Sequence, residues 1–456
     1  MPEDRQPPAP GSSEAGLKKQ LSAGQMAMVG VGGSIGTGLL LGSAAAIQIA
    51  GPAVILSFLL AALIAYTVTM AMGELASLHP AAGSFGLYAE LYLNPWAGFV
   101  SRYGLWIALA IAIGGEMVAS ATYMKLWLPG VPAIAWVCVF ALLLLAVNLM
   151  SVGHYGWFEY GFAMVKVVTM LAFVALGGAL LLSGRLAAQY TAHGGFFPKG
   201  HAAPMHAMSF ALFTFAGVEM VAVSTGESRS AREIPRAMRI TIALLAFVYL
   251  GAIVVLLGIM PWDGAGVTES PFVTLFRQVG LPAAGHVMNF VVLTAALSGA
   301  NASLYVDSRL LFSLARGGYA PQSMGRLNRA GTPMNALLAS SFGILVALVM
   351  EKWAPQNAFV SILGAALFGA MLVWLVVLAA HVSFRRRSRP EELAALPMRS
   401  PGGAWLSVAG FAAIVISLIA TWWYSHVTVI SGVLYLVVLS GAYWAAKKRS
   451  GNRGIG

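Results

Sequence analysis

In a chain of 456 residues, 59% are hydrophobic, 9% are charged and the mean hydropathy is +0.80, a balance that excludes a soluble domain of this size. The net charge of +11 does not point to nucleic acid, because the basic residues gather in short connections between apolar stretches and form no stripe with interleaved aromatics. One cysteine, Cys138, lies within an apolar run, which excludes a disulfide framework and leaves the thiol a packing role.

Residues 1–20 are polar, with no apolar core segment before Leu21; a cytoplasmic tail is expected there, not a cleaved signal peptide. A spanning length of about 20 residues then picks out twelve apolar stretches. They run at 25–49, 52–78, 96–128, 132–150, 157–183, 205–225, 237–260, 284–315, 334–350, 357–382, 404–424 and 427–446. The joins are short and carry Pro, Gly or charge, as at Gly51-Pro52 and Leu128-Pro-Gly-Val-Pro132. The expected class is an all-α polytopic membrane protein. Its parts are the tail 1–20, spans one to five in 21–183, spans six to ten in 184–382, a basic linker 383–403, two last spans in 404–446 and a tail 447–456.

Lys and Arg in the connections set the orientation. With the N-terminus inside, one side holds 21 of them, among them Arg232, Arg236, Arg239 and Arg385, and the other side holds Lys125, Arg185, Lys199, Arg277 and Lys352. Both termini are therefore expected in the cytoplasm, in the plasma membrane. Trp96, Trp127, Trp157, Trp262 and Trp353 fall near span ends, where an amphipathic ring suits the interface.

The first stretch contains Gly30-Val-Gly-Gly-Ser-Ile-Gly-Thr-Gly38, a glycine density that gives a helix reason to come apart. Freed backbone groups are tolerable in a bilayer only when buried in protein or lining a cavity. The sixth stretch carries Phe213-Thr-Phe-Ala-Gly-Val-Glu219, a glycine beside an acid, about where a second five-helix repeat would place its first helix. Interrupted helices at matching positions of two halves point to a binding site at the membrane midplane. A break between Ser34 and Thr37 would offer N–H groups to a carboxylate, and the carbonyls of Gly30 to Gly32 would suit an ammonium. Such a site takes a zwitterion. Phe215 is expected to cover it and Thr37 to add a hydroxyl. The competing reading is helix packing, because Gly32 with Gly36, and Gly38 with Gly42, have small-x-x-x-small spacing.

Ionisable groups within spans are costly and functional by default. They are Glu116 in the third, Lys166 in the fifth, Glu219 in the sixth and Asp307 in the eighth. Glu74 and Glu227 lie close enough to cytoplasmic ends for water to reach them. Lys166 is nine residues past Trp157, roughly 13 Å along a helix, which places it deep in the bilayer. A buried ammonium exchanges its proton at accessible pH or braces neighbouring helices.

Enzyme chemistry has no support: the eight histidines form no ligand or base constellation. Gly32-Gly-Ser-Ile-Gly36 matches the nucleophile-elbow spacing but lacks the strand-turn-helix setting. No metal or cofactor is expected.

Several ordered motifs then resemble a known family. They are Gly33-Ser-Ile-Gly-Thr-Gly38 with Gly51-Pro52, Met72-Gly-Glu-Leu75, Pro80-Ala-Ala-Gly-Ser-Phe85, Tyr123-Met-Lys-Leu-Trp127, Phe162-Ala-Met-Val-Lys-Val167, Gly217-Val-Glu219, Glu227 with Ile234-Pro235, and Ser313-Leu-Ala-Arg316 with Pro321. Between about Leu17 and Ala380 the chain resembles the bacterial amino acid permeases of the amino acid–polyamine–organocation superfamily, in the amino acid transporter branch. The resemblance implies a leucine-transporter-like fold of two inverted five-helix repeats plus two helices, working by alternating access. By that resemblance Ser34, Gly36, Thr37 and Gly38 match the segment that holds the substrate carboxylate and Phe215 the gating aromatic; the whole expected substrate site is Val31, Gly32, Ser34, Ile35, Gly36, Thr37, Gly38, Phe213, Phe215, Ala216 and Glu219. Lys166 matches the family lysine that stands where sodium-coupled relatives hold the ion; with Glu116 and Ser298, which could touch Lys166, it forms the expected proton-coupling set.

The expected function is proton-coupled uptake of an L-amino acid, with protons, the substrate and the lipid bilayer as partners. An exchanger or uniporter of the same fold, and less so a non-transporting amino acid sensor, are the alternatives.

Overall fold

The protein is described here from a computed structural model that covers residues 21–79, 84–149, 152–184, 189–225, 228–230, 232–265, 269–278, 280–316, 318–328, 332–353, 358–424 and 426–452. Residues 1–20, 80–83 of the Pro80 motif, Glu227 and the side chain of Trp157 lie outside the described residues.

The described chain is helical; its one β-type contact is an isolated bridge between Leu21 and Ser228. The first stretch is three helices, α1 (Ala23–Ser34), α2 (Thr37–Leu40) and α3 (Gly42–Ala50). Ser22 starts α1 with a reciprocal cap: its hydroxyl accepts from the Gln25 N–H, and its own N–H donates to the Gln25 side chain. A turn at Gly51–Ala53 leads into α4 (Val54–Leu78), followed by α5 (Ser84–Tyr92) and α6 (Pro95–Met124). Asn94 caps α6 through the Ala97 N–H at 2.9 Å, with Pro95 in the first turn, where its missing N–H is not needed. Next come α7 (Ala133–Leu149) and α8 (Val152–Leu182).

The sixth stretch is also divided, into α9 (Ala203–His206), α10 (Met208–Thr214) and α11 (Glu219–Ser224). It is followed by α12 (Glu233–Ile259), α13 (Pro271–Gln278), α14 (Pro282–Arg316), α15 (Met334–Ser340), α16 (Phe342–Trp353) and α17 (Ala358–Arg387). A short α18 (Pro390–Ala395), α19 (Ala404–Tyr424) and α20 (His426–Asn452) complete the described order.

Among the described residues, eight helical segments are long and apolar enough to cross a membrane: Gly42–Leu78, Pro95–Met124, Gly161–Leu182, Glu233–Ile259, Pro282–Arg316, Met334–Trp353, Ala366–Arg387 and Ala404–Trp423. Ala133–Asn148 and Met208–Ala222 are shorter apolar helices. The described residues have the make-up of a polytopic, all-helical membrane protein.

The long α6 packs on α14, α16 and α17, and α1 is surrounded by α8, α11, α12 and α14. Small residues permit this crowding. A Cβ on Gly343 of α16 would overlap the carbonyl of Ala110 in α6, so the two backbones touch.

Two sequence expectations change. Cys138 is exposed on α7, beside Val139 and Leu142 at 50% and 69% exposure, because this helix is apolar on every face and turns the thiol toward lipid. Glu74 is beyond the reach of water: it is fully buried and clamped by Arg385 of α17. The Arg385 Nε and Nη2 approach its two oxygens at 2.6 and 2.7 Å, and the Ser400 N–H donates to Oε2 at 2.6 Å. The His381 Nε2 lies 3.3 Å from the same oxygen.

Candidate functional site

The helix breaks of the first and sixth stretches face one another. Between α1 and α2, Ile35 (φ −79°, ψ 84°) and Gly36 (φ −131°, ψ −156°) leave helical geometry. Between α10 and α11, Gly217 has φ +108°, a region where an L side chain is strained. A Cβ there would also sit 2.7 Å from Ser34 Oγ and 2.9 Å from Ser34 N, so glycine is required twice over, by conformation and by space. Short-range bonds replace the lost helical ones: Phe215, Ala216 and Val218 each donate to the carbonyl three residues back.

The packing reading of the glycines also holds. A Cβ on Gly38 would lie 3.3 Å from both Phe213 Cδ1 and Thr214 Cα, and one on Gly33 would strike the Met220 sulfur. Breakage and close approach are the same device here, since opening the helix lets the two stretches meet backbone to backbone.

A cavity of ≈ 50 Å³ lies between the breaks, large enough for a few water molecules. It is lined by Gly33, Ser34, Gly36 and Gly38 of the first stretch and by Phe213, Ala216, Gly217, Glu219 and Met220 of the sixth. Leu105, Ala108, Leu109, Ala112 and Glu116 of α6, Ser303 of α14, and Ala366 and Ala370 of α17 complete the wall.

Glu116 reaches to the break itself. Its Oε1 accepts from the Thr37 N–H at 3.4 Å, the first amide of α2, while its buried Oε2 has no hydrogen-bond partner among the described residues. Gly36 and Gly299 make room for this carboxyl: a Cβ on either would lie 2.8 or 3.2 Å from Oε1. Glu219 is 2% exposed at the start of α11, and its Oε2 accepts from the indole N–H of Trp374 in α17 at 3.3 Å.

Lys166 of α8 is 1% exposed, and its Nζ donates to the Gly32 carbonyl at 2.6 Å. The carbonyls at the end of α1, which the sequence assigns to a substrate ammonium, each already have a donor in this structure. Gly30 accepts from the Ser34 hydroxyl at 2.8 Å, Val31 from the Ile35 N–H at 2.9 Å, and Gly32 from Lys166. The protein's own ammonium and carboxyl thus occupy the two sides of the break that a zwitterion would use.

Of the remaining expected residues, Val31 and Ile35 are fully buried among core side chains, and Ser298 is 3% exposed on α14. Phe215 is buried with its ring against Tyr249, centroids 4.9 Å apart, and does not line the cavity. Phe213 does. Asp307 is fully buried on α14, away from the cavity wall, with neither oxygen hydrogen-bonded among the described residues.

Sequence reasoning did not name Ser303 or Trp374. A signal existed for both: Ser303 lies five residues past the expected Ser298, and Trp374 sits well inside its stretch, away from the span end where an anchor belongs.

The family model for amino acid permeases matches residues 25–449. The chain is 33% identical over 439 residues to an uncharacterized amino acid permease, YtnA, of Bacillus subtilis (strain 168), covering 94% of this chain and 95% of that protein. It is 33% identical over 416 residues to the gamma-aminobutyric acid permease of the same organism, with 89% of each covered. To the aromatic amino acid transport protein AroP of Escherichia coli (strain K12) it is 33% identical over 413 residues, 89% of this chain and 90% of that one.

Proposed function

The chain belongs to the amino acid permease family, and from that premise we propose that it is a secondary active transporter that carries an L-amino acid into the cell with a proton by alternating access. The observation that carries this reading is the pair of facing helix breaks around a small cavity whose wall includes Glu116 and Glu219, with Lys166 on the Gly32 carbonyl and Glu116 on the Thr37 amide. In the proposed architecture twelve spans form two inverted five-helix repeats plus two helices, in the plasma membrane, with both termini cytoplasmic.

The substrate carboxylate takes the amides from Gly36 to Gly38 by displacing Glu116, and its ammonium is held by the second lone pairs of backbone carbonyls at the two breaks, beside the donors already there. The cavity must widen to admit even a small amino acid, so the described state is a closed one. Protonated Lys166 ties α8 to the first break; loss of its proton removes one donor from Gly32 and loosens that tie. Phe215 serves as the cover once it leaves Tyr249, which couples gating to movement of the α10–α11 break. Binding drives this cycle only through its differential affinity for the two states. The relatives carry different substrates in their names, so the reading stays at the class of amino acids.

The experiment is uptake of a labelled amino acid panel into sodium-free proteoliposomes, with an inward proton gradient imposed or collapsed. Accumulation that follows the gradient is the expected result. Counterflow without accumulation would move the assignment to an exchanger or uniporter.

A further inference from the structure

The start of α12 carries Arg232, Arg236 and Arg239, all exposed and spaced so that they share one face of the helix. They open onto a groove of ≈ 730 Å³ whose opposite wall is Ala395 and Pro397 of the linker. Arg399 steadies that wall by donating to the Ala394 carbonyl. Among the described residues no carboxylate lies within ion-pair distance of the three guanidinium groups. The nearest acid in sequence, Glu233, is engaged elsewhere, accepting from the Ala23 N–H at 2.8 Å.

Three like charges with no counter-ion repel one another, and all lie in the first two turns, where the helix dipole already disfavours cations. The cluster therefore calls for an anion. The same face continues directly into exposed apolar side chains, Ile240 at 38% and Phe247 at 59%. A basic cradle above an apolar strip matches one kind of ligand, a charged head on a hydrocarbon tail.

We propose that this groove binds an anionic phospholipid, its phosphate held by Arg232, Arg236 and Arg239 and an acyl chain lying along Ile240 and Phe247. Arginine suits the role because its planar fork pairs with phosphate oxygens two at a time. The linker wall makes it a site rather than a diffuse charged surface. Bound lipid would join α12 to the segment after α17.

The test uses the full-length protein, delipidated in neutral detergent and titrated with phosphatidylglycerol, phosphatidylcholine or inorganic phosphate, with melting temperature and bound lipid by native mass spectrometry as readouts. Phosphatidylglycerol should bind and raise the melting temperature; phosphatidylcholine should not. Replacing Arg232, Arg236 and Arg239 together by Gln should weaken phosphatidylglycerol binding by roughly a hundredfold, at about one decade or less per arginine. The same change at Lys447 and Lys448 should leave it intact. Should the triple Gln protein fail to fold, Phe247→Gln with Ile240→Gln, which keeps the charges, should lower lipid binding while sparing binding of inorganic phosphate. Undiminished phosphatidylglycerol binding in the Gln protein overturns the proposal, as does inorganic phosphate reproducing the whole thermal shift at matched occupancy.

Discussion

The Nζ of Lys166 donates to the carbonyl of Gly32 over 2.6 Å, joining α8 to the break in the first stretch. A donor at this point satisfies a carbonyl that the interrupted helix cannot. Lys166→Met, which keeps the length and removes the charge, should lower gradient-driven uptake by about tenfold or more, the worth of one charge-assisted hydrogen bond. Melting temperature should be measured alongside. Lys166→Met with full uptake across a pH gradient would falsify the coupling role.

Glu116→Gln retains the shape that fills the space beneath Gly36 and Gly299 but cannot ionise. In the proposed mechanism Glu116 and the substrate carboxylate compete for the Thr37 amide. The variant should therefore bind substrate with a KM that varies less with pH than that of the parent. Gly299→Ala, which places a methyl 3.2 Å from the Glu116 oxygen, should shift KM while leaving the helix itself sound. Initial-rate kinetics between pH 5.5 and about 8.5, a range that spans ordinary histidine titration and its neighbours, would decide it.

Gly217→Ala combines a φ of +108° with contact against Ser34, and should cost about 1–3 kcal/mol in strain alone. Uptake should fall close to background. Gly178→Ala in α8 is the control: a Cβ there meets nothing within 4 Å, so the change should be neutral or stabilise by up to ~1 kcal/mol. Equal loss in both would remove the special status given to Gly217.

Removing one partner from the buried Glu74–Arg385 pair leaves a charge without compensation, at a cost of about 3–5 kcal/mol. Arg385→Ala should lower both melting temperature and the yield of folded protein. Changing Glu74→Gln and Arg385→Met together should recover part of that loss, which thermal unfolding in one detergent would reveal.

His79 follows α4, with its Nε2 2.7 Å from the Tyr92 hydroxyl, and burial holds its imidazole below the ordinary histidine value. A depressed value means that the folded state binds fewer protons than the unfolded one, so this stability is present above the unfolded pKa and is lost as pH falls through the folded one. His79→Gln should flatten the decline in melting temperature below about pH 6.5. An unchanged slope would assign the decline to other groups.

Some of this was legible because it violates local rules. Glycines crowded at 30–38 and Gly217 beside Glu219 make poor helices, and an apolar stretch around Lys166 makes a poor home for an ammonium; each stands out in one dimension. What stayed hidden depends on rotation about a helix axis or on partners far along the chain. Phe213 and Phe215 are two residues apart, and only the course of the break decides which lines the cavity. Cys138 sits in a stretch apolar all round, where periodicity cannot tell lipid from core. Trp374 and Glu219 are 155 residues apart, beyond the reach of any local pattern.

The clamp on Glu74 also sets a schedule. Its arginine is 311 residues downstream and the Ser400 amide 326. At about 5–20 residues per second, a nascent chain waits some 15–60 s between emergence of the acid and arrival of its partner. Throughout that interval the acid of α4 lacks the arginine that compensates it in the finished fold, so the segment from α1 to α4 completes its packing only after α17 has been made.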